Sequence, residues 1–450
     1  MIRNAPYWWD AAPPVTLPQA TVPSTADVVI VGAGYTGLSA GLTLARAGRK
    51  VVIFDRMKPG EGASSRNGGI ASGNLRPGHA ELAKKFGAAR ADALLLEGKA
   101  AREDLATFIA AEKMECDYKL TGRFSGASKP ADYEVLARDA ESLSRTLGIE
   151  AFAVPKAEQR RHLGTDFYQG GMVRMDIGGL HPGKLHAGML ARTLTAGAQV
   201  HGETAVTGIR SEGTGFEVAT ARGVIRAPHV ISGTNGYADR SDPWFRRRMV
   251  PVRSRIIATA PLSENLMQEL MPRRYMLSET RKLHYYYRPS PDGRRILFGG
   301  RDGTIADDPQ WPTNSLRRAM VDIFPVLDDV EITHSWFGHV AMNRDMIPRI
   351  FSRNGVRYAA GYCGSGVVWA RWAGRQAALQ VLGQDAGQET GQEAGQEAGQ
   401  EAATSALDFR PPPAVPLYTG TPYFMPAVFA WLTLQDRINH PRRKRRQSGT

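Results

Sequence analysis

"DVVIVGAGYTGLSAGLTLARAG", residues 27–48, is the stretch that decides the fold. It opens on β-branched residues, turns at Gly32-Ala-Gly34-Tyr35-Thr36-Gly37, and continues as an apolar helical segment closed by Gly48. The first glycine permits the tight turn, the second lets a pyrophosphate approach the backbone, and the third lets helix pack on strand. A second strand, "KVVIFD" (50–55), ends at Asp55, where an acid accepts hydrogen bonds from ribose hydroxyls. Strand, turn, helix and acid together mark a dinucleotide site to which Tyr35, Thr36 and Arg56 also belong. Two competing readings of this stretch fail. Residues 28–45 carry no charge and could span a membrane by length, but patterned glycines after a β-branched opening describe strand, turn and helix. Gly37-Leu-Ser39-Ala-Gly41 fits a hydrolase nucleophile pattern, but that serine must sit on the strand-to-helix turn, and Ser39 falls inside the helix.

Outward from here, "GEGASSRNGGIASGNLRPG" (60–78) leaves the carboxyl end of the second strand, where ligands of open α/β sheets bind. Its small residues let backbone N–H groups converge on a ligand, and Arg66 can neutralise phosphate charge. A flexible connection is the alternative. "APHVISGTNG" (227–236), with Gly233 at its end, and "GVRYAAGYCGSG" (355–366) read as further strands of a buried parallel sheet. One nucleotide domain is therefore assembled from separated pieces.

The insert "KLHYYYRPSPDGRRILFGGR" (282–301) reads as a hairpin turning at Pro291-Asp292-Gly293. Alternation puts Tyr285 and Tyr287 on one face and His284, Tyr286 and Arg288 on the other. Tyr285, Tyr287, Arg288 and Trp336 are the pocket candidates, with core packing as the competing role for each. The fold expected is α/β: a discontinuous Rossmann-like domain plus a substrate domain with an antiparallel β-sheet. The boundaries read from the sequence are an N-terminal arm at 1–24, the nucleotide domain at 25–85, 150–240 and 337–383, and the substrate domain at 86–149 and 241–336. Residues 384–406 form a low-complexity linker, and 407–450 a docking segment with a basic tail.

The linker repeats Gly-Gln-Glu-Ala or Gly-Gln-Glu-Thr, offers nothing to bury, and reads as a spacer. Across 450 residues, 42% hydrophobic and 22% charged residues are those of a globular protein. The two cysteines, Cys116 and Cys363, build neither a disulfide framework nor a zinc site; no metal is expected, and the cytoplasm is the expected compartment. The N-terminus has no apolar run before a small-residue cleavage site, so no signal peptide is expected. The net charge of +13 includes the cluster Arg442–Arg446, "RRKRR". No aromatic-interleaved basic stripe accompanies it, so no nucleic-acid partner is expected; peripheral contact with a membrane through this tail stays open.

Six ordered motifs carry a resemblance: residues 27–48, "GEGASSRNGG", "GGLHPGKLHAGMLARTL" (178–194), "ILFGGR" (296–301), "WFGHVAMNRDMIPRI" (336–350) and "GYCGSGVVWARWAGRQAA" (361–378). Together they resemble the D-amino-acid oxidase family of FAD-dependent oxidoreductases, nearest its gamma-glutamylputrescine oxidase-like amine oxidases. "YWWD" near the start and "YTGTPYFMPAVFAW" near the end resemble the same subgroup. The resemblance implies FAD, held without a covalent bond, by Gly32, Gly34, Gly37 and Asp55 and by Ser64, Ser65, Arg66, Asn67, Gly68 and Gly69. It further implies Val206 at adenine and Gly361, Gly364, Ser365 and Gly366 at the flavin, where a helix N-terminus supports the charge of the reduced ring. The implied reaction oxidises a primary or secondary amine by hydride transfer to flavin N5, followed by imine hydrolysis, with O2 or another acceptor taking the electrons. Val368 stands where monomeric sarcosine oxidase has a substrate-binding lysine, so simple α-amino acids are expected to be poor substrates. Two other readings remain: a flavin dehydrogenase of an amino acid or N-methyl amino acid serving a quinone or partner protein, and a non-catalytic nucleotide-binding module. Deleting residues 385–402 is expected to leave flavin content and turnover nearly unchanged, because a Gly-punctuated polar spacer buries little apolar surface. Loss of soluble protein on that deletion would show the repeat to be structural.

Overall fold

A computed structural model describes residues 1–302, 309–390 and 405–439. Four strands read from the sequence lie side by side: Val356–Ala360, His229–Ser232, Val28–Val31 and Val51–Phe54. They pair in parallel, Gln199–His201 extends one edge in parallel, and Arg349–Arg353 closes the other edge antiparallel. Their near-continuous apolar character follows from burial on both faces. The helix Tyr35–Arg46 packs against Gly366–Thr390 on one face; Gly374 permits this, since a Cβ there would lie 2.2 Å from the Thr36 carbonyl oxygen. A three-stranded antiparallel sheet of Val206–Glu212, Gly215–Thr220 and Gly223–Ala227 packs on the other face through Phe216 and Val218.

The second large sheet has eight strands, ordered Ile332–Met342, Val250–Thr259, Ile296–Arg301, Tyr286–Pro289, Met276–Glu279, Arg123–Gly126, Gly171–Arg174 and Ala151–Val154. It is antiparallel except where Met276–Glu279 runs parallel to Arg123–Gly126. The expected hairpin is present, pairing Tyr286 with Gly299 and Pro289 with Ile296. One face of this sheet is sealed by the helix Gln310–Ile323, where Leu316 and Met320 join Ile257, Tyr287 and Phe298 in one core. The opposite face carries Ser254, Ser278, Tyr286 and Arg301 toward a cavity.

Three boundaries differ from those read in the sequence. Strands Ala151–Val154 and Gly171–Arg174 hydrogen-bond into the eight-stranded sheet, so the nucleotide-domain segment does not begin at 150. The long helix Ala88–Ala111, expected in the substrate domain, packs Leu94, Ala101 and Leu105 into the core beneath the parallel sheet. Its composition gives no sign of which sheet it covers. The Gly366–Thr390 helix also continues past residue 384, where the spacer was expected to begin. Residues 391–404 of the linker and the basic run Arg442–Arg446 lie outside the described residues. Between them, Ser405 donates to Glu97 at 2.7 Å and Ile350 N donates to the Leu407 carbonyl at 2.8 Å.

Candidate functional site

A cavity of about 800 Å³ opens at the carboxyl ends of the parallel strands and extends to the polar face of the eight-stranded sheet. This is where open α/β sheets bind ligands. Gly32, Gly34, Tyr35, Thr36, Asp55 and Arg56 line one end, with Val206 and Gly233 beside them. Ser64, Arg66, Asn67 and Gly68 line the middle, and Gly364, Ser365 and Gly366 lie toward the large sheet. Four residues expected at the cofactor stand behind this wall. Gly37 supports the turn from beneath, where a Cβ would lie 1.8 Å from the Gly32 carbonyl oxygen. Ser65 is turned inward to donate to the Gly60 carbonyl at 2.8 Å. Gly69 packs on Leu180 and Arg288, and Gly361 packs on Asn343.

The loop at 63–69 is not a flexible connection. Ala63–Arg66 forms one helical turn, and four side chains from distant segments clamp that turn and the three residues after it. Trp8 Nε1 donates to the Asn67 carbonyl at 2.8 Å, and Trp9 Nε1 to Ser65 Oγ at 2.8 Å. Trp336 Nε1 donates to the Arg66 carbonyl at 2.9 Å, and an Arg288 NH group to the Gly69 carbonyl at 2.7 Å. The Arg66 guanidinium also lies 4.5 Å from the Trp9 ring centre. The "YWWD" segment is thus a brace for the loop.

This geometry corrects the pocket candidates. Trp336 and Arg288 do not line the cavity; they act on the loop's carbonyls from behind. Tyr287 is fully buried on the sheet's opposite face, stacked on Phe298, with its hydroxyl 3.1 Å from that of Tyr168. Tyr285 packs against Phe298 on that same face. The expected alternation along the hairpin holds, but the even-numbered face meets the cavity: His284 and Tyr286 line it. Gly68 and Gly299 make room for the Tyr286 ring, which a Cβ would approach to 3.0 and 2.4 Å.

Toward the large sheet the wall carries three arginines that the sequence did not single out: Arg76, Arg123 and Arg301. Burial, followed by the charge of Arg76, pushes Arg301 down to about 10, and burial pushes Arg123 down to about 9, so both stay cationic near neutrality. Arg76 donates through Nε to the Cys363 carbonyl at 3.0 Å. Among the described residues, neither Arg76 nor Arg301 has a carboxylate partner. Glu279, also in the wall, is already engaged by Arg281 at 2.6 Å and by the Tyr168 hydroxyl at 2.9 Å. Burial, then Arg76 and Arg301, hold His284 well below its usual range, leaving a neutral imidazole. Val368, at the position where the resemblance has a lysine elsewhere, is fully buried with its Cγ1 toward Gly73. The signal for the missing cations lies in two quoted motifs, since Arg76 ends the glycine-rich loop and Arg301 ends "ILFGGR".

The arrangement suits a flavin dinucleotide. The helix beginning at Tyr35 has no side-chain cap at Gly34, and Ser64 Oγ takes the Tyr35 N–H at 3.0 Å, so the N-terminus faces the cavity with orphan donors. Parallel sheet, glycine turn, half-buried acid and second glycine cluster define an FAD-binding oxidoreductase. The family model for FAD dependent oxidoreductase matches residues 27–380, and the chain belongs to that family. It is 31% identical to the gamma-glutamylputrescine oxidoreductase of Escherichia coli over 360 residues, covering 79% of this chain and 83% of that protein. It is 29% identical to the probable oxidoreductase OrdL of Rhizobium meliloti over 441 residues, covering 96% and 97%. Among solved structures, glycine oxidase from Geobacillus kaustophilus superposes with a TM-score of 0.68 at 21% identity, over 80% of this chain and 95% of that one. L-proline dehydrogenase from P. horikoshii gives 0.66 at 19%, over 80% and 94%.

Proposed function

We propose that this protein oxidises an amine that also carries a carboxylate, with the amine end of a gamma-glutamylated diamine as one example. The observation that carries this reading is the pair Arg76 and Arg301, cations in the cavity wall beside Gly364, Arg301 half-buried and Arg76 exposed, and both without an acidic partner among the described residues. Two cations side by side in a cavity wall repel each other, and a substrate carboxylate placed between them pairs with both at once. Bound FAD supplies the two-electron acceptor for the C–H next to nitrogen. Gly32, Gly34 and Asp55 hold its dinucleotide end, and the clamped Ser64–Gly68 loop and the Gly364–Gly366 helix start hold the ring end. Arg76, Arg123 and Arg301 disfavour a further cation, so they lower the pKa of an amine bound among them and favour its neutral, reactive form. Neutral His284 adds no repulsion, and Tyr286, hydrogen-bonded to Ser254 at 2.9 Å, presents a fixed ring to the bound amine. Water then hydrolyses the imine.

Anaerobic mixing with a panel of amines tests this. Amines whose carboxylate lies away from the reacting carbon, as in a gamma-glutamylated diamine, are expected to bleach the oxidised flavin absorbance, and carboxylate-free amines of the same length and simple α-amino acids to do so far more slowly. Equal rates for both sets would refute the assignment of the arginines. The same purified protein, denatured and weighed by mass spectrometry, is expected to release FAD and leave an unmodified chain. Cys363, in the glycine cluster expected at the ring end, is a buried thiol pushed up to about 11, with Sγ 3.1 Å from the Gly361 carbonyl oxygen. It is therefore a thiol and not a reactive thiolate.

Asp55 gives the cofactor a pH dependence. It accepts from Ala33 N at 2.8 Å and Met57 N at 2.9 Å, yet burial outweighs these bonds and raises its carboxyl to about 6. Ribose hydroxyls donate to the carboxylate better than to the acid. FAD affinity is therefore expected to be full above pH 6 and to fall below it, by at most about tenfold per pH unit. Titrating the apoprotein with FAD from pH 7.5 down to 5 measures this, and Asp55→Asn is expected to flatten the profile. An unchanged slope in that variant would place the titrating group elsewhere.

A further inference from the structure

The helix Met425–Asn439 is apolar on two faces. Its inner face packs Met425 and Phe429 against Val250, Val252 and Tyr418. Its last turn is tied down by Asp436, which accepts from Lys282 N at 3.1 Å and Leu283 N at 3.0 Å, and by Gln435, which accepts from Lys282 Nζ at 2.8 Å. The outer face carries Val428, Trp431, Leu434 and Ile438, spaced three or four residues apart, with Phe424 just before the helix, all of them exposed. Trp431 is 59% and Ile438 71% exposed, and Tyr423 extends the stripe at its start. Single exposed apolar residues are ordinary, but a continuous stripe along one helix face marks a binding surface. Among the described residues nothing covers it. The chain beyond this helix then reaches five consecutive cations, Arg442 to Arg446.

We propose that this outer face and the basic run together dock the protein on an anionic membrane surface. Charge selects this occupant. A second copy would bring a second run of five cations, three residues beyond the same helix in sequence, and like charges oppose association. An anionic bilayer satisfies both features: the stripe enters the headgroup boundary, where Trp and Tyr are favoured, and the cations meet acidic headgroups. No helix among the described residues is long and apolar enough to cross a membrane, so the attachment is peripheral. Docking also has a fixed relation to the cavity, because Lys282 and Leu283, held by the helix, lead directly into His284 of its wall. The bilayer thus lies beside the His284 wall.

The test uses full-length, flavin-loaded protein and vesicles of phosphatidylcholine with or without phosphatidylglycerol. Sedimentation with the phosphatidylglycerol vesicles is expected at low salt, and loss of it at high salt. The double variant Leu434→Asp with Ile438→Asp, and separately a variant with Arg442 to Arg446 changed to Gln, are each expected to reduce the bound fraction at least about tenfold. Both variants are expected to keep their flavin absorbance and their turnover of soluble substrate. Equal sedimentation with neutral vesicles, or none with either kind, would overturn the proposal. A concentration-dependent dimer dissolved by Leu434→Asp would overturn it in favour of a second copy. Loss of flavin or solubility in the helix variant would show that the face belongs to the fold. Neither the amine reading nor its arginines enters this experiment.

Discussion

The variant Gly34→Val is expected to fold, purify colourless and fail to take up added FAD. The three glycines of the turn do different work, and this one alone separates binding from folding. At Gly37 a Cβ would lie 1.8 Å from the Gly32 carbonyl oxygen, so Gly37→Ala forces helix and turn apart and is expected to yield insoluble protein. At Gly32 the backbone φ is +102° and a Cβ would meet Gly233, so a substitution there strains the sheet's own crossover. Gly34 has ordinary backbone angles, φ −85° and ψ −170°, and the atom its Cβ would strike is Ser64 Oγ at 2.8 Å. Ser64 can rotate away, so the fold survives. A valine there fills the space of the pyrophosphate and breaks the Ser64 bond to Tyr35 N. The expected loss is at least about a hundredfold in FAD affinity, equivalent to ~2.7 kcal/mol. Circular dichroism and flavin absorbance on one preparation check it; a yellow, folded Gly34→Val protein would show that the phosphates lie elsewhere.

The parallel sheet was legible because its information is local. Val28–Val31 and Val51–Phe54 are short apolar runs ended by glycine or acid, and buried parallel strands need no more than that. The dinucleotide turn was legible for the same reason, since Gly32, Gly34 and Gly37 each answer to a contact within one strand–turn–helix unit. The substrate wall was not. Tyr285, Tyr286 and Tyr287 have the same chemistry in sequence, and which face turns to the cavity depends on the Gln310–Ile323 helix covering the other side. That helix is distant in the chain, so alternation gave the two faces but no means of choosing between them. Trp336 and Arg288 stand out by residue type, but their partners are backbone carbonyls of the loop, which a sequence does not display. Arg301 is hidden at the end of a motif read for its glycines, although Gly299 is there to admit the Tyr286 ring beside it.

Those overlooked cations carry the largest catalytic consequence. Changing Arg301 to Gln is expected to lower kcat/KM for a carboxylate-bearing amine by roughly 10² to 10³, because truncating one partner of a buried charge pair costs about 2–5 kcal/mol. Arg76→Gln is expected to act in the same direction but less strongly. Its Nε already serves the Cys363 carbonyl, and it is less completely enclosed than Arg301. Arg301→Lys is expected to fall between wild type and Gln, since an ammonium keeps the charge but not the planar fork that meets both carboxylate oxygens. The deciding comparison is a substrate pair: one amine with its carboxylate free and again as the methyl ester. If Arg301 holds the carboxylate, the ester is a poor substrate for wild type and loses little more in Arg301→Gln, so the two changes are not additive. If Arg301 instead serves the flavin, whose expected ring end lies beside Gly364, both substrates lose activity alike and the flavin spectrum or potential shifts in the variant. Additive losses for acid and ester, with that spectral change, would remove the carboxylate from the substrate's description and leave only the amine.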